Sequence, residues 1–259
     1  MSECLKVSHL SKRYARGRND VAAVDRVSFV IRSGECVGLV GESGSGKSTL
    51  VRLLLALESP DHGEVIFQGR PLMRTNRREL RRLRQHIQVV FQDSTASLND
   101  RLPVWRSVLE PLDNYVHVQP PFFHGARLSR REKAERLLSM VGLTAEHMDS
   151  YPHELSGGQR QRVCIARGIS LCPQLLICDE PTSSLDVTTQ CQILHLLQVL
   201  QRQLNMSVLF ISHDLAAVVQ LCHRLLVMRQ GRIVDEFAAD ELWLDERHPY
   251  TKVLISASQ

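Results

Sequence analysis

The chain has 259 residues, 43% of them hydrophobic and 23% charged, and its formal net charge is +4. Apolar content at that level builds a proper core, which excludes an intrinsically disordered chain, and the length suits one α/β domain or such a domain with a substantial insertion. The charge is too mild to name a partner, and with no stretch near eighteen apolar residues nothing is expected to span a bilayer.

Residues 5–10 and 23–31 alternate apolar and polar positions, as half-buried strands do, and a polar loop with Gly17, Asn19 and Asp20 joins them. Tyr14 falls just after the first strand, where a loop tyrosine serves either as packing or as a ring on which an adenine stacks. Residues 36–40 (Cys-Val-Gly-Leu-Val) are a short apolar run that reads as a buried strand. It leads into Gly41-Glu42-Ser43-Gly44-Ser45-Gly46-Lys47-Ser48-Thr49, which fits the phosphate-loop pattern G-x-x-x-x-G-K-[ST]. Leu50, Leu53, Leu54 and Leu57 then recur at helical spacing. Glycine lets such a loop wrap an anion closely, because it takes left-handed dihedrals without strain. The loop amides and the positive end of the following helix face the anion. Lys47 supplies a charge for the β- and γ-phosphates, and the Ser48 hydroxyl is placed to ligate Mg²⁺. Strand, loop, Lys-Ser pair and helix agree, so this stretch implies a bound nucleoside triphosphate.

Residues 59–63 read as a turn, 64–67 as a strand ended by Gln68-Gly69, and 87–91 as an apolar strand running into Gln92. Between them Arg74, Arg77, Arg78, Arg81, Arg82 and Arg84 lie within eleven residues. As a helix this run turns arginine to most faces, which reads as a solvated surface; anionic lipid headgroups or a partner's acidic loop are the alternatives. Nucleic acid is the weakest idea, since no stacking aromatics are interleaved. From 93 onward, helical stretches at 105–112 and 130–141 replace the strand–helix alternation. Between them, Gln119-Pro120-Pro121-Phe122-Phe123-His124-Gly125 is expected to be loop, with the phenylalanines packed beneath it rather than offered as a docking patch. The region reads as a helical insertion into an α/β core.

The alternation resumes with a helix over 158–171, a strand over 175–178, a helix over 187–203, a strand over 208–211 and a helix starting at Asp214. A hairpin of 225–228 and 232–237 turns at Gln230-Gly231, and a short helix follows Pro249. The strand Leu175-Leu176-Ile177-Cys178 ends in Asp179-Glu180. Carboxylates at the end of a buried strand suit a magnesium site: Asp179 would hold the metal opposite Ser48, and Glu180 is a candidate general base for the water attacking the γ-phosphate. Leu155-Ser156-Gly157-Gly158-Gln159 is a second glycine-rich anion site, in which Ser156 caps a helix and paired glycines expose amides. One nucleotide does not need two such grips in one domain; a dimer does, if each subunit offers this loop to the nucleotide held on the other. Seven cysteines (Cys4, Cys36, Cys164, Cys172, Cys178, Cys191 and Cys222) are scattered and never form C-x-x-C pairs. That usage suits a reducing compartment and supports no zinc or iron–sulfur site.

The loop at 155–159, the phosphate loop before it and Ile-Cys-Asp-Glu-Pro at 177–181 after it make the chain resemble an ATP-binding-cassette ATPase along nearly its whole length. The resemblance implies an α/β fold: a P-loop NTPase cassette with a RecA-like core, an antiparallel β subdomain and an α-helical subdomain. It implies a single domain over 1–259, the core and β subdomain taking 1–92 and 159–259 and the helical signature subdomain 93–158. ATP and Mg²⁺ are the implied cofactors, and ATP hydrolysis coupled to transmembrane transport the implied activity. Gln92 is similar to the family's Q-loop glutamine, which contacts Mg²⁺ and the attacking water and couples to the transmembrane partner. Ser183-Ser184-Leu185-Asp186 resembles the D-loop, which passes across the dimer interface, and Asp186 joins the nucleotide-binding residues on that ground. His213 resembles the switch histidine that contacts the γ-phosphate, and Tyr14 the aromatic that stacks on adenine. Cys178 stands where a hydrophobic residue is usual and should pack equivalently.

Phe91-Gln92-Asp93-Ser94-Thr95-Ala96-Ser97-Leu98-Asn99 is similar to the F-Q-D-P-x-x-S-L-N run of the oligopeptide, dipeptide and nickel importer ATPases, with Ser94 in place of the usual proline. Tyr151-Pro152-His153-Glu154-Leu155 and His248-Pro249-Tyr250-Thr251 resemble the same group. The resemblance implies the nucleotide-binding subunit of a bacterial importer, peripheral on the cytoplasmic face of the inner membrane. Its implied partners are two transmembrane permease subunits, a second ATPase in a heterodimer, and a periplasmic or lipid-anchored substrate-binding protein, with no nucleic acid. A soluble cassette acting on DNA or ribosomes is the runner-up, but such relatives usually carry two cassettes or a long coiled-coil insertion. For the cargo, Leu57-Glu58-Ser59-Pro60 and Gly69-Arg70-Pro71-Leu72 look closer to the nickel and metal–opine importer ATPases. The lack of a cysteine-bearing tail leans the same way. Nickel or a metal–chelator complex is therefore the expectation, with di- or oligopeptides as the alternative. The eleven histidines are dispersed and read as ordinary surface or core residues.

Overall fold

The computed structural model describes residues 2–16, 19–73, 75–125 and 127–257, so Gly17 and Arg74 lie outside the described residues. In chain order come β1 (Glu3–Arg16), β2 (Asn19–Arg32), β3 (Cys36–Val40), α1 (Lys47–Leu54), β4 (His62–Phe67), β5 (Arg70–Pro71) and α2 (Arg77–Arg84). Next are β6 (Ile87–Val90), α3 (Ser94–Ser97), α4 (Val104–Asn114), α5 (Arg130–Met140), α6 (Gly157–Ile169), β7 (Leu175–Asp179) and α7 (Val187–Leu204). The chain closes with β8 (Ser207–Ile211), α8 (Leu215–Leu221), β9 (Arg224–Arg229), β10 (Arg232–Ala238) and α9 (Pro249–Ala257). Two compact units result, Met1–Arg84 with Ser207–Gln259, and Gln85–Met206.

The first unit holds an antiparallel sheet in the order β2-β1-β4-β5. β1 and β2 pair from Glu3 opposite Arg32 to Arg16 opposite Asn19, further than the alternating pattern over 5–10 and 23–31 indicates. Tyr14 therefore sits inside β1, opposite Val21, and not in a loop. The pattern breaks because both strands bulge: His9 and Arg26 take left-handed backbone angles (φ 48° and 52°), and the register shifts around them. Two serine hydroxyls accept the displaced amides, Ser28 from His9 at 2.8 Å and Ser11 from Arg26 at 3.0 Å.

The unit's other strands run β10-β9-β3-β8, with β3 parallel to both β8 and β9. β3 and β8 are buried at every position, as continuous apolar runs in parallel sheets are. Gly38 on β3 makes room for α8: a Cβ there would lie 2.1 Å from Val218 Cγ1. Arg224 joins this layer to the antiparallel sheet, donating from Nε to Glu35 Oε1 (2.9 Å) and from Nη2 to the Val30 carbonyl (2.5 Å), and pairing with Glu236.

In the second unit β6 pairs in parallel with β7, from Ile87 opposite Leu175 to Val90 opposite Cys178. α6 packs on β6, and α4 and α5 pack against α6. Part of the stretch expected to be loop is ordered as a short 3-10 turn, Pro121–Phe123. Proline suits its first position because that residue has no intrahelical acceptor to satisfy and its φ is already helical. Phe123 is buried, and its ring meets Phe122 edge-on with centroids 4.7 Å apart.

Overpacking at Gly38 gives a direct test of the β3–α8 contact. Gly38→Ala should cost about 1–3 kcal/mol of stability. Combined with Val218→Ala, it should add little to the cost of Val218→Ala alone. Urea unfolding midpoints measure both, and strictly additive losses would show that Val218 is not what the new methyl meets.

Candidate functional site

In the first unit, β3 feeds residues 41–46 into the start of α1. Gly46 (φ 108°) precedes the helix and, among the described residues, no side chain caps it. The amides of the first turn are thus left for an anion. The loop lies hard against its own scaffold: a Cβ on Gly41 would come 2.2 Å from the Met228 carbonyl, and one on Gly46 2.1 Å from the Ala23 carbonyl. The Gly231 amide of the β9–β10 turn donates to the Ser45 carbonyl at 2.8 Å. Lys47 is only 7% exposed, and its Nζ donates to the carbonyls of Gly41 (2.6 Å) and Glu42 (3.0 Å). The buried Ser45 hydroxyl has no hydrogen-bond partner among the described residues. A buried ammonium beside an unsatisfied buried hydroxyl and open helix amides fits a phosphate.

Tyr14 stands beside this loop, 36% exposed, its hydroxyl donating to Glu58 and lying near Thr49. Burial first, and then Glu58, push that hydroxyl above its ordinary pKa. His213 is exposed just beyond β8. The Ser212 amide donates to the Leu39 carbonyl at 3.3 Å, which brings the end of β8 beside the end of β3. Asp214 then caps α8 by accepting the amides of Ala216 (2.9 Å) and Ala217 (3.3 Å). The unit therefore gathers Tyr14, residues 41–49 and His213.

The second unit gathers the other candidates. Cys178 is fully buried in β7, and Asp179 and Glu180 emerge half-buried at its end. Glu180 has φ 48°, a left-handed conformation that costs a residue other than glycine about 1–3 kcal/mol. Its carbonyl accepts the Ser183 hydroxyl at 3.2 Å, and the same hydroxyl accepts Gln92 Nε2 at 3.2 Å. Gln92, Ser183 and Glu180 thus form one chain of hydrogen bonds. Ser156 and Gln159 close a reciprocal capping box: Ser156 Oγ accepts the Gln159 amide (3.2 Å) and Gln159 Oε1 the Ser156 amide (2.9 Å). Gly157 opens α6, and at Gly158 a Cβ would meet Thr189 Cγ2 at 2.5 Å, so only glycine lets α6 start this close to α7. Asp186 caps α7, accepting the Thr189 amide at 3.0 Å and hydroxyl at 2.6 Å. The hydroxyl bond, more than the amide bond, holds its carboxyl below the usual range. His147 is a contact that no pattern in the sequence signals: its Nε2 lies 3.0 Å from Gln159 Nε2.

The ABC transporter family matches residues 24–183. The chain belongs to that family. The dipeptide transport ATP-binding protein DppF of Escherichia coli is 44% identical over 92% of this chain and 69% of its own length. The oligopeptide transport ATP-binding protein OppF of Streptococcus mutans is 42% identical over 98% of this chain and 80% of its own. Among solved structures, the ATP-binding cassette MJ0796, a dimer in a post-hydrolysis state bound to ADP and Pi, superposes with a TM-score of 0.78 at 30% identity, covering 91% of this chain and 98% of the other. The fold is the ABC ATPase cassette, with mixed α/β sheets and helices. It is a fold that binds ATP, and the family's reaction is ATP hydrolysis in transport. Among the described residues, no helix is long and apolar enough to cross a membrane.

The relatives overturn the nickel or metal–opine cargo expected from residues 57–60 and 69–72, because they are named for dipeptide and oligopeptide transport. The physical reason is plain in the fold. Leu57, Ser59, Gly69, Arg70 and Pro71 are exposed on turns or an edge strand, and segments of that kind carry no chemistry for a cargo.

Removing the Lys47 charge should weaken equilibrium binding of ATP by about ten- to a hundredfold, the worth of a hydrogen bond to a charged group. Lys47→Ala with unchanged affinity in a titration would remove the lysine from the phosphate site.

Proposed function

We propose that this chain is the ATP-binding and ATP-hydrolysing subunit of a bacterial importer of di- or oligopeptides. The observation that supports the cargo is the naming of relatives at 42–44% identity for peptide, dipeptide or oligopeptide transport. ATP, when bound, supplies the γ-phosphate that passes to water. The chain's own residues bind, orient and move protons around it. Residues 41–49 enclose the phosphates with amides and the Lys47 charge, and Tyr14 offers an exposed ring to the adenine. Mg²⁺ is assigned to Ser48, Asp179 and Gln92, hard oxygen donors of the kind that ion takes. Glu180 acts as the general base toward the attacking water, and His213 contacts the γ-phosphate. Ser156, Gly157, Gly158, Gln159 and Asp186 serve the nucleotide of a facing subunit.

In this reading the chain works at the cytoplasmic face of the inner membrane as a peripheral subunit. Its partners are two transmembrane permease subunits, a second ATPase that makes a heterodimer, and a substrate-binding protein outside the membrane. Closing and reopening of the paired ATPases would drive the permeases between their two access states.

Glu180→Gln keeps the shape and removes the base. It should lower ATP turnover by about 10²–10⁴-fold with ATP affinity retained, and an ATP-locked dimer should accumulate in gel filtration. Normal turnover would sink the assignment of Glu180. The cargo is tested in cells: deleting the gene should abolish growth on di- or oligopeptides as sole amino-acid source while nickel, cobalt and zinc accumulation stays intact, and intact peptide uptake would overturn it.

A further inference from the structure

Residues 248–251 (His-Pro-Tyr-Thr) carry a group resemblance in the sequence but no task. In the fold they begin α9, and each has a separate role there. Asp235 Oδ2 on β10 accepts both the His248 amide (2.8 Å) and the Thr251 hydroxyl (2.7 Å). The His248 ring caps the helix, its Nδ1 accepting the Tyr250 amide at 3.1 Å. Pro249 occupies the first helical position, which a residue without an amide fills best. Tyr250 is thereby pinned. It is 4% exposed, and the Arg229 guanidinium lies 4.6 Å from its ring centroid. Its hydroxyl accepts the Glu42 amide at 3.2 Å.

Glu42 is the second residue of the phosphate loop, and its surroundings hold it from both sides. Tyr250 holds its amide, while its carbonyl accepts Lys47 Nζ at 3.0 Å and the Ser45 amide at 3.1 Å. The carbonyl that steers the Lys47 ammonium therefore belongs to the residue that the tail anchors. A glycine-rich loop loses much conformational freedom when it closes on a ligand. A strut that orders it beforehand lowers that cost.

We propose that Tyr250 is a positioning residue for the phosphate loop: through its hydroxyl it fixes the Glu42 backbone, and so the direction in which Lys47 points, ahead of nucleotide binding. The inference rests on the reading of 41–49 as the nucleotide site and adds the C-terminal helix to it.

Tyr250→Phe deletes the hydroxyl and keeps the ring, its burial and its contact with Arg229. In the nucleotide-free chain, amide hydrogen exchange of peptides covering 41–47 should quicken about three- to tenfold, the worth of one neutral hydrogen bond. The dissociation constant for ATP should rise by a similar factor, while the exchange of α9 peptides stays as it is and the thermal midpoint falls by no more than about 2–4 °C, the cost of that one bond. A purely structural tyrosine would give a looser α9 with loop exchange and ATP affinity unmoved, and that result overturns the proposal. Lys47→Ala run alongside separates the two readings. If Lys47→Ala weakens ATP binding and Tyr250→Phe changes neither loop exchange nor affinity, the strut fails and the site stands. If Lys47→Ala leaves ATP binding intact, the site itself fails.

Discussion

A lysine ammonium that is 7% exposed sets the constraints on the first unit. Taking such a charge out of water costs several kcal/mol unless it is ligated, about the whole margin by which a domain is stable. Its ligands include the carbonyls of Gly41 and Glu42. Those carbonyls face Lys47 because the loop is pressed onto the Met228 and Ala23 carbonyls, tied at Ser45 to Gly231, and tied at Glu42 to Tyr250. β3, buried between two parallel neighbours, is the rigid base from which the loop departs. A phosphate brought to this pocket replaces neutral carbonyl dipoles with a full opposite charge, and the nearby Ser45 hydroxyl gains an acceptor.

Two of the candidate polar side chains share one local device. Gln92 and His213 each sit between the end of a strand and an aspartate that caps the next helix, Asp93 for α3 and Asp214 for α8. The cap fixes the backbone one residue later, which limits where the preceding residue's Cα–Cβ bond can point. Asp186 uses the same chemistry on α7. Glu180 is different. It is held in a strained left-handed conformation by bonds from the Ser183 amide and hydroxyl to its carbonyl, which is how surrounding structure sustains a disfavoured angle.

The strand, loop and helix around residues 41–49 were legible in the sequence because they are contiguous and each has its own signal. The apolar strand ending in Asp179-Glu180 was legible for the same reason. Tyr14 was placed wrongly because the bulges at His9 and Arg26 interrupt the period of two that marks a strand. The turn at Pro121–Phe123 was hidden because proline-rich stretches read as loop, although proline suits the first position of a helical turn. The contacts of His147 with Gln159 and of Tyr250 with Glu42 leave no periodic trace, since tertiary packing alone brings those pairs together. The cargo reading failed for another reason. Leu57, Ser59, Gly69, Arg70 and Pro71 are exposed on turns or an edge strand, and Leu72 is buried in the core, so neither stretch carries chemistry that depends on a cargo.

The arginine run shows how a composition signal divides once the fold is known. Read as a helix it turns arginine to most faces, a solvated surface with lipid headgroups or an acidic loop as alternatives, and Arg77, Arg78, Arg81 and Arg82 are exposed. Arg84 is not part of that surface. Its guanidinium donates to the carbonyls of Leu55 (3.3 Å) and Ala56 (2.8 Å) just past the C-terminus of α1, while Leu83 is buried beside it. The peptide dipoles of a helix favour a cation at the C-terminal end and an anion at the N-terminal end. α1 is only eight residues long, so both ends act on the same two turns of peptides. Arg84 satisfies carbonyls left over at one end, and the open amides after Gly46 await an anion at the other. One arginine of the run thus serves the C-terminal end of α1, and Arg77, Arg78, Arg81 and Arg82 carry the exposed part of the run.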